Sequence, residues 1–378
     1  MFTLSAPGKL MLSGEWSVLE KGVPCIVIAV NKRVYVSIKE AEQTVVKLRD
    51  FGITAGSRFE GSEIVFDRDD EKLLFTKFAV NVALQYLRQM NIQFKNFELE
   101  TRADESVVKN FETGKEVKVG FGTSAAAVVA IIAAVLKLHN VIALPDDVKI
   151  SLKEKELLFK LAIIAHYLGQ GKLGSGFDVA ASTFGGALVY KRFDPQWLEK
   201  ALQEKTIIQV IEEKWPLLEH RNTDLPASLE LLVAFTGTSA STRLLVQRMR
   251  EFKKDRPEEY QWIIQSIKNV TEQLITALKD KNREEILALL DKNRELLEDL
   301  SEACSCHLEI EAHWIMSDIA AKHGGVAKFS GAGGGDCSVG VCFDKDKARK
   351  ILEEWTERKF TPIDVTVTKE GVRIEGEK

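Results

Sequence analysis

The sequence predicts a two-domain protein of mixed helices and strands. Three observations carry this expectation. The chain has 378 residues, enough for two domains with a sizeable core. Short strand-like runs alternate with longer runs of helical period along its length. The composition shifts near Asp194-Pro195, which sets the expected domains at 1–195 and 196–378. A hydrophobic content of 45% and a charged content of 29% describe an ordinary globular chain. The net charge of −4 argues against nucleic acid or an anionic membrane as the main partner. No charge-free apolar run reaches about 18 residues, so no membrane-crossing helix is expected. The first residues lack a basic segment followed by an apolar core, so no secretory signal is expected. Five dispersed cysteines, an odd number, fit a reducing cytoplasm. Cys304-Ser305-Cys306-His307 has one-residue spacing, which is not a zinc pattern.

Taken in order, Phe2–Ala6 reads as a short strand. Pro7-Gly8 reads as a turn that leaves Lys9 at a strand start. Val23–Val30, Arg33–Lys39 and Glu63–Phe66 read as strands. Leu73–Met90 has helical period, with Phe75, Phe78, Val82 and Leu87 on its apolar side. Phe94–Thr101 reads as a strand, and Glu154–Leu168 as a helix. That helix ends in a glycine-rich stretch containing Lys172, Ser175 and Asp178, and Gly185–Phe193 follows as a glycine-then-strand segment. Leu229–Phe235 is an apolar strand, followed by the Thr- and Ser-rich Thr236–Arg243. Pro257–Asp280, Arg283–Cys304 and Glu309–His323 read as charged helices. A second glycine cluster, Gly324–Asp336, opens on the strand Cys337–Phe343 and the helix Lys345–Arg358. Ile363–Ile374 reads as a final strand.

The stretch that points to chemistry is Lys118-Val119-Gly120-Phe121-Gly122-Thr123-Ser124. It opens an Ala-rich run to His139 with no Gly or Pro and apolar residues on every side, which predicts a buried helix. The helix start presents free N–H groups and a partial positive charge where glycines let a ligand approach the backbone. That combination makes an anion site, most often for phosphate. The Thr123 and Ser124 hydroxyls are expected to cap the helix or ligate Mg²⁺.

Three stretches together resemble the signature motifs of the GHMP kinase superfamily. They are Pro7-Gly8-Lys9 with Gly14-Glu15, then Gly120–Ala126, then Ser330-Gly331-Ala332-Gly333-Gly334-Gly335-Asp336. Lys172–Ala180 with Tyr190–Phe193, and Phe235–Thr242, resemble the phosphomevalonate kinase branch more than mevalonate or homoserine kinases. The resemblance implies an α+β protein with an N-terminal domain like domain 2 of ribosomal protein S5. It implies a ferredoxin-like C-terminal domain, with the site in the cleft between the two. It further implies transfer of the γ-phosphoryl of ATP, with Mg²⁺, to (R)-5-phosphomevalonate. A mevalonate kinase, another small-molecule enzyme of the superfamily and a non-catalytic sensor are the alternatives.

By the same resemblance, Lys9 and Asp178 form the catalytic pair. Lys118, Gly120, Gly122, Thr123, Ser124 and Ala125 surround the nucleotide phosphates, and Ser124 meets the metal. Ser13, Lys172, Ser175, Ser239, Arg243, Gly333 and Gly334 surround the acceptor. The chain departs from mevalonate kinases at two places. Trp16 stands where they carry a histidine, and Tyr167 where they carry a metal-binding glutamate. The chemistry itself asks for positioning and charge neutralisation rather than covalent work by the protein. A phosphate acceptor is already largely ionised at neutral pH, because its second pKa is about 6. Asp178 is therefore expected mainly to orient and partly neutralise Lys9.

Overall fold

Strand Pro24–Glu40 is the spine of the first sheet. In the computed structural model, which describes residues 1–60, 63–104, 107–109, 114, 116–143, 149–238 and 242–377, strand Phe2–Ser13 pairs antiparallel along most of one edge of it. The other edge carries Ala187–Lys191 beside residues 24–28 and Phe97–Ala103 beside residues 34–40. The sheet continues outward through Val45–Leu48, Ile53–Glu60 and Glu63–Phe66. The expected strands Val23–Val30 and Arg33–Lys39 are thus one strand. Asn31 and Lys32 do not end it. They form an irregularity at which the pairing jumps from Pro7 opposite Arg33 to Gly8 opposite Val30.

The same irregularity corrects the expectation that Pro7-Gly8 turns the chain. Strand Phe2–Ser13 runs straight through both residues, so Lys9 is mid-strand. Glycine is required at position 8 by close approach. A Cβ there would stand 2.6 Å from the Phe121 carbonyl oxygen and 3.0 Å from that of Lys32.

Helices cover one face of this sheet. Thr123–Leu138 is buried nearly all round, as its composition predicts, and packs on Leu74–Gln89, Leu152–Gly169 and Phe177–Phe184. Each large side chain it buries contributes about 1.5–3 kcal/mol of transfer free energy. Helix Leu152–Gly169 starts two residues before its expected start because Ser151 and Glu154 form a capping box.

The first domain extends beyond residue 195. Helices Pro195–Glu204 and Ile207–Glu212 bury Leu198, Ala201, Ile207 and Val210 in its core. Strand Glu219–Thr223 pairs with Ala187–Lys191. The composition shift at Asp194-Pro195 marks a proline-initiated, Asp194-capped surface helix rather than a boundary between sheets. The expected final strand Ile363–Ile374 is replaced by two pieces. Thr361–Pro362 joins the second sheet, and Arg373–Glu377 returns to pair with Phe2–Ser13.

The second sheet has the order Val326–Phe329, Cys337–Cys342, Glu230–Phe235, Thr361–Pro362, all antiparallel. Helices Thr242–Asp255, Pro257–Asp280, Arg283–Ala303 and Glu311–Lys322 separate its first and second strands in the chain. Lys345–Glu357 separates its third and fourth. Two helical crossovers over a sheet of this order give the ferredoxin-like arrangement expected of the second domain. Among the described residues, no helix is long and apolar enough to cross a membrane.

Candidate active site

Two helix N-termini open on the same place. Thr123–Leu138 starts from Gly122 at φ 74°, and Phe177–Phe184 starts from Gly176 at φ 86°, neither with a side-chain cap. The expected capping by Thr123 or Ser124 is therefore not observed. A left-handed glycine occupies each cap position, and the first N–H groups of each helix remain available to a ligand, except that of Val179, which donates to Asp178 Oδ1 at 2.9 Å. One residue in each first turn reaches the same imidazole. Ser124 Oγ lies 3.2 Å from His166 Nε2, and Asp178 Oδ2 lies 3.8 Å from it.

Lys9 approaches from the first sheet. Its N–H donates to the Phe121 carbonyl at 2.8 Å, which locks the strand against the glycine loop. Its half-buried side chain runs beside Gly122, where an added Cβ would be 3.1 Å from Lys9 Cγ and Cε. Lys9 Nζ lies 5.4 Å from the centroid of the Phe177 ring. Burial lowers the Lys9 pKa, while the charges of Asp178, Asp336 and Glu15 oppose that shift. Three carboxylates thus favour the charged ammonium and offset part of the effect of burial, which favours its neutral form.

The second domain supplies the other wall. Ser330 Oγ accepts from the Met11 N–H at 2.9 Å, tying the Ser330–Asp336 loop to the strand that carries Lys9. Gly331 backs onto Lys9 Nζ, with 3.7 Å from an added Cβ. Asp336 Oδ2 lies 3.6 Å from the corresponding point on Gly120. Below them Glu15 and Lys328, both buried, form an ion pair that joins the two domains. Burial raises the Glu15 pKa, and Lys328 opposes it.

The other residues expected at the site are distributed as follows. Lys9, Gly120, Gly122, Thr123, Ser124 and Asp178 come together at or beside the two helix starts, and the Ala125 methyl is buried beneath them. Gly333 and Gly334 face away from Lys9. A Cβ at Gly333 would stand 2.5 Å from the Leu308 oxygen, and the Gly334 N–H donates to that oxygen at 2.6 Å. They shape the loop, while Gly331 and Asp336 border the cleft. Ser13 is fully buried with its hydroxyl 2.7 Å from that of Thr271, a contact between domains rather than a ligand-facing group. Ser175 is buried, and its carbonyl accepts from the Tyr190 hydroxyl at 2.6 Å. Lys172 is exposed, with its ammonium 3.8 Å from Glu199. Ser239 and the side chains of Lys118 and Arg243 lie outside the described residues. Tyr167 points away from the site and donates to Glu199 at 2.8 Å.

His166, Asp336 and Lys328 had no assigned role from sequence. His166 sits in a helix whose apolar period hides it. Asp336 and Lys328 lie inside a cluster whose glycines dominate its composition.

Profiles for the GHMP kinases N terminal domain and the GHMP kinases C terminal match residues 77–186 and 274–360, together more than half of the chain. The chain belongs to the GHMP kinases. This GHMP kinase is 28% identical to a phosphomevalonate kinase of Streptomyces sp. (strain CL190), with 97% of each chain covered. It is 29% identical to a mevalonate kinase of Thermococcus gammatolerans, covering 98% of its own length and 97% of the relative's. Its fold matches that of a Streptococcus pneumoniae phosphomevalonate kinase solved with phosphomevalonate and AMPPNP. The TM-score is 0.80 at 23% identity, over 97% and 100% of the two chains.

The glycine loop of this GHMP kinase gives a direct test. At φ 74° any other residue is strained by about 1–2 kcal/mol, and a Cβ would push on Lys9. Gly122→Val is expected to lose most nucleotide affinity and to lower the melting temperature by a few degrees. Titration calorimetry with ATP on the folded variant checks it, and an unchanged Kd would refute the loop assignment.

Proposed function

We propose that this GHMP kinase transfers the γ-phosphoryl group of ATP to (R)-5-phosphomevalonate, giving 5-diphosphomevalonate and ADP in the mevalonate route to isoprenoids. The observation that carries the reading is the placement of Lys9. One half-buried ammonium lies against the glycine loop of one domain and the Ser330–Asp336 loop of the other, within the field of the Asp178 carboxylate. Full-length similarity to several phosphomevalonate kinases supports the choice of acceptor.

In this reading the open N-termini at Thr123 and Phe177 bind phosphate oxygens through their N–H groups and helix dipoles. Lys9 neutralises charge that gathers between acceptor and nucleotide as the bond to the leaving oxygen lengthens. Asp178 orients Lys9 and keeps it charged. The phosphate acceptor brings an oxygen that is already ionised, so the protein has little proton to remove.

Mg²⁺ suits the donors present. Ser124 offers a hard oxygen at the helix start, and among the described residues no group of three His, Cys, Asp or Glu gathers into an all-protein cage. A cation that takes most of its ligands from phosphates and water needs no more. Ser124 would hold it, and when bound it would supply positive charge against the nucleotide phosphates.

The test offers purified protein mevalonate, 3-phosphomevalonate and 5-phosphomevalonate side by side with Mg-ATP, with ADP release measured. Fastest turnover is expected with 5-phosphomevalonate. Faster turnover of mevalonate would move the chain to the mevalonate kinase branch, and no turnover of any acceptor would favour a sensor.

A further inference from the structure

His166 is a buried polar side chain that phosphoryl transfer, as derived above, does not use. Its ring is 1% exposed and stacks on Phe75, with centroids 5.1 Å apart and planes 25° from parallel. The stack fixes the ring plane, and burial keeps water from competing for its edge. The edge that carries Nε2 points at the junction of the two helix starts. There Ser124 Oγ is at 3.2 Å, within hydrogen-bond range, while Asp178 Oδ2 at 3.8 Å is beyond it. Asp178 is engaged elsewhere, its Oδ1 accepting from the Val179 N–H at 2.9 Å. Ser124 is therefore the hydrogen-bond partner of Nε2.

We infer that His166 is a positioning residue for the cation site, with Nε2 accepting the hydrogen bond of the Ser124 hydroxyl so that the Ser124 oxygen turns its lone pairs toward the divalent cation. Before a cation arrives, a serine hydroxyl left to itself rotates freely and presents its lone pairs to the site only part of the time. Fixing the hydrogen on a buried nitrogen removes that choice. The residue next in sequence, Tyr167, faces Glu199 and cannot serve. The helix turns His166, and not the residue at the family's glutamate position, toward the junction. A group one shell out that orients a cation's ligand commonly matters by roughly 10- to 100-fold in metal affinity.

This inference rests on the kinase reading, but its test needs no acceptor. Binding of Mn²⁺ in the presence of ADP is followed by electron paramagnetic resonance. Five forms are compared: the natural chain, His166→Phe, His166→Gln, Ser124→Ala and the double variant Ser124→Ala/His166→Phe. Phenylalanine keeps the stack on Phe75 and removes the acceptor, whereas glutamine keeps an acceptor on a side chain of similar reach. His166→Phe is expected to weaken Mn²⁺ binding roughly 10- to 100-fold. His166→Gln should recover most of that loss, and His166→Phe should add little in the Ser124→Ala background.

Circular dichroism melts identify any variant that fails to fold. If His166→Phe is among them, the comparison of His166→Gln with Ser124→Ala decides, and glutamine binding Mn²⁺ no better than alanine overturns the inference. Equal losses with and without the Ser124 hydroxyl overturn it too, because a packing role would be additive. So does unchanged or tighter Mn²⁺ binding in His166→Phe, the result expected if Nε2–H donates into the hydroxyl. A natural chain that binds no Mn²⁺ with ADP overturns both this inference and the kinase reading. The acceptor panel tests substrate choice separately, and its failure alone leaves the role of His166 standing.

Discussion

Lys9→Ala is expected to lower kcat by roughly 10²–10³-fold, the usual consequence of removing one preorganised group that meets charge developing in a transition state. The KM for ATP should change far less. The glycine loop and the two helix starts bind the nucleotide without Lys9, and the ammonium is needed most when charge moves onto the transferred group. A variant whose only defect is a raised KM for the acceptor would make Lys9 a binding residue and remove the proposed role. Asp178→Asn should be milder, because a phosphate acceptor needs little deprotonation.

The same substitution predicts a direction in pH. Burial pulls the Lys9 pKa below its ordinary 10.5, and the Asp178 charge is the first of the groups that pull it back. Removing that charge lets the pKa fall further. The ammonium is then lost at lower pH, and the alkaline limb of the kcat profile should move toward neutrality. A limb that stays in place would show that Asp178 does not hold Lys9 charged.

Glu15→Gln is expected to cost about 3–5 kcal/mol of stability, since it leaves the buried Lys328 ammonium without its counter-charge. Replacing both residues with apolar side chains of similar size, as in Glu15→Leu/Lys328→Met, should cost much less than the sum of the two single changes. Lys328→Met alone has its own signature. With the opposing charge gone, burial raises the Glu15 pKa further, so the folded state holds a proton that the unfolded state releases. Stability then falls as pH rises above the ordinary carboxylate range. Urea unfolding at two pH values measures all of this. Additive single and double variants would show that the pair is not coupled.

The parts of the site that were legible in sequence are those fixed by local chemistry. The helix Thr123–Leu138 is all apolar and Ala-rich, so its burial and its open N-terminus follow from composition. Four charged helices of the second domain appear within a residue or two of their expected bounds, because their period is strong and Pro257, Asn282 and Asp344 mark starts, whereas the helix Thr242–Asp255 was not expected. What sequence did not show depends on distant partners. Pro7-Gly8 has the composition of a turn, yet Gly8 is small because the Phe121 carbonyl presses on it. Ser13 is a plausible ligand group until Thr271 occupies its hydroxyl. His166 looks like one polar residue on a buried helix, and only the meeting of two other helices beside it gives it a partner. The short strands Val45–Leu48 and Glu219–Thr223 escaped notice because their neighbours in the sheet, not their own sequence, make them strands.

The chain crosses between the two domains at two places. The chain enters it after Thr223, in the first sheet, and leaves it between Ile363, which donates to the Val233 oxygen, and Thr366, which exchanges hydrogen bonds with Asn31. Between those crossings the two domains share one buried apolar cluster, in which Leu10, Leu12, Ile26 and Ile28 of the first are joined with Val233, Phe235, Leu274 and Val339 of the second. Parting the domains as rigid bodies would bring that cluster into water. Met11–Ser330, Ser13–Thr271 and Glu15–Lys328 add polar ties along the same seam, so the two walls of the cleft are held in a fixed relation.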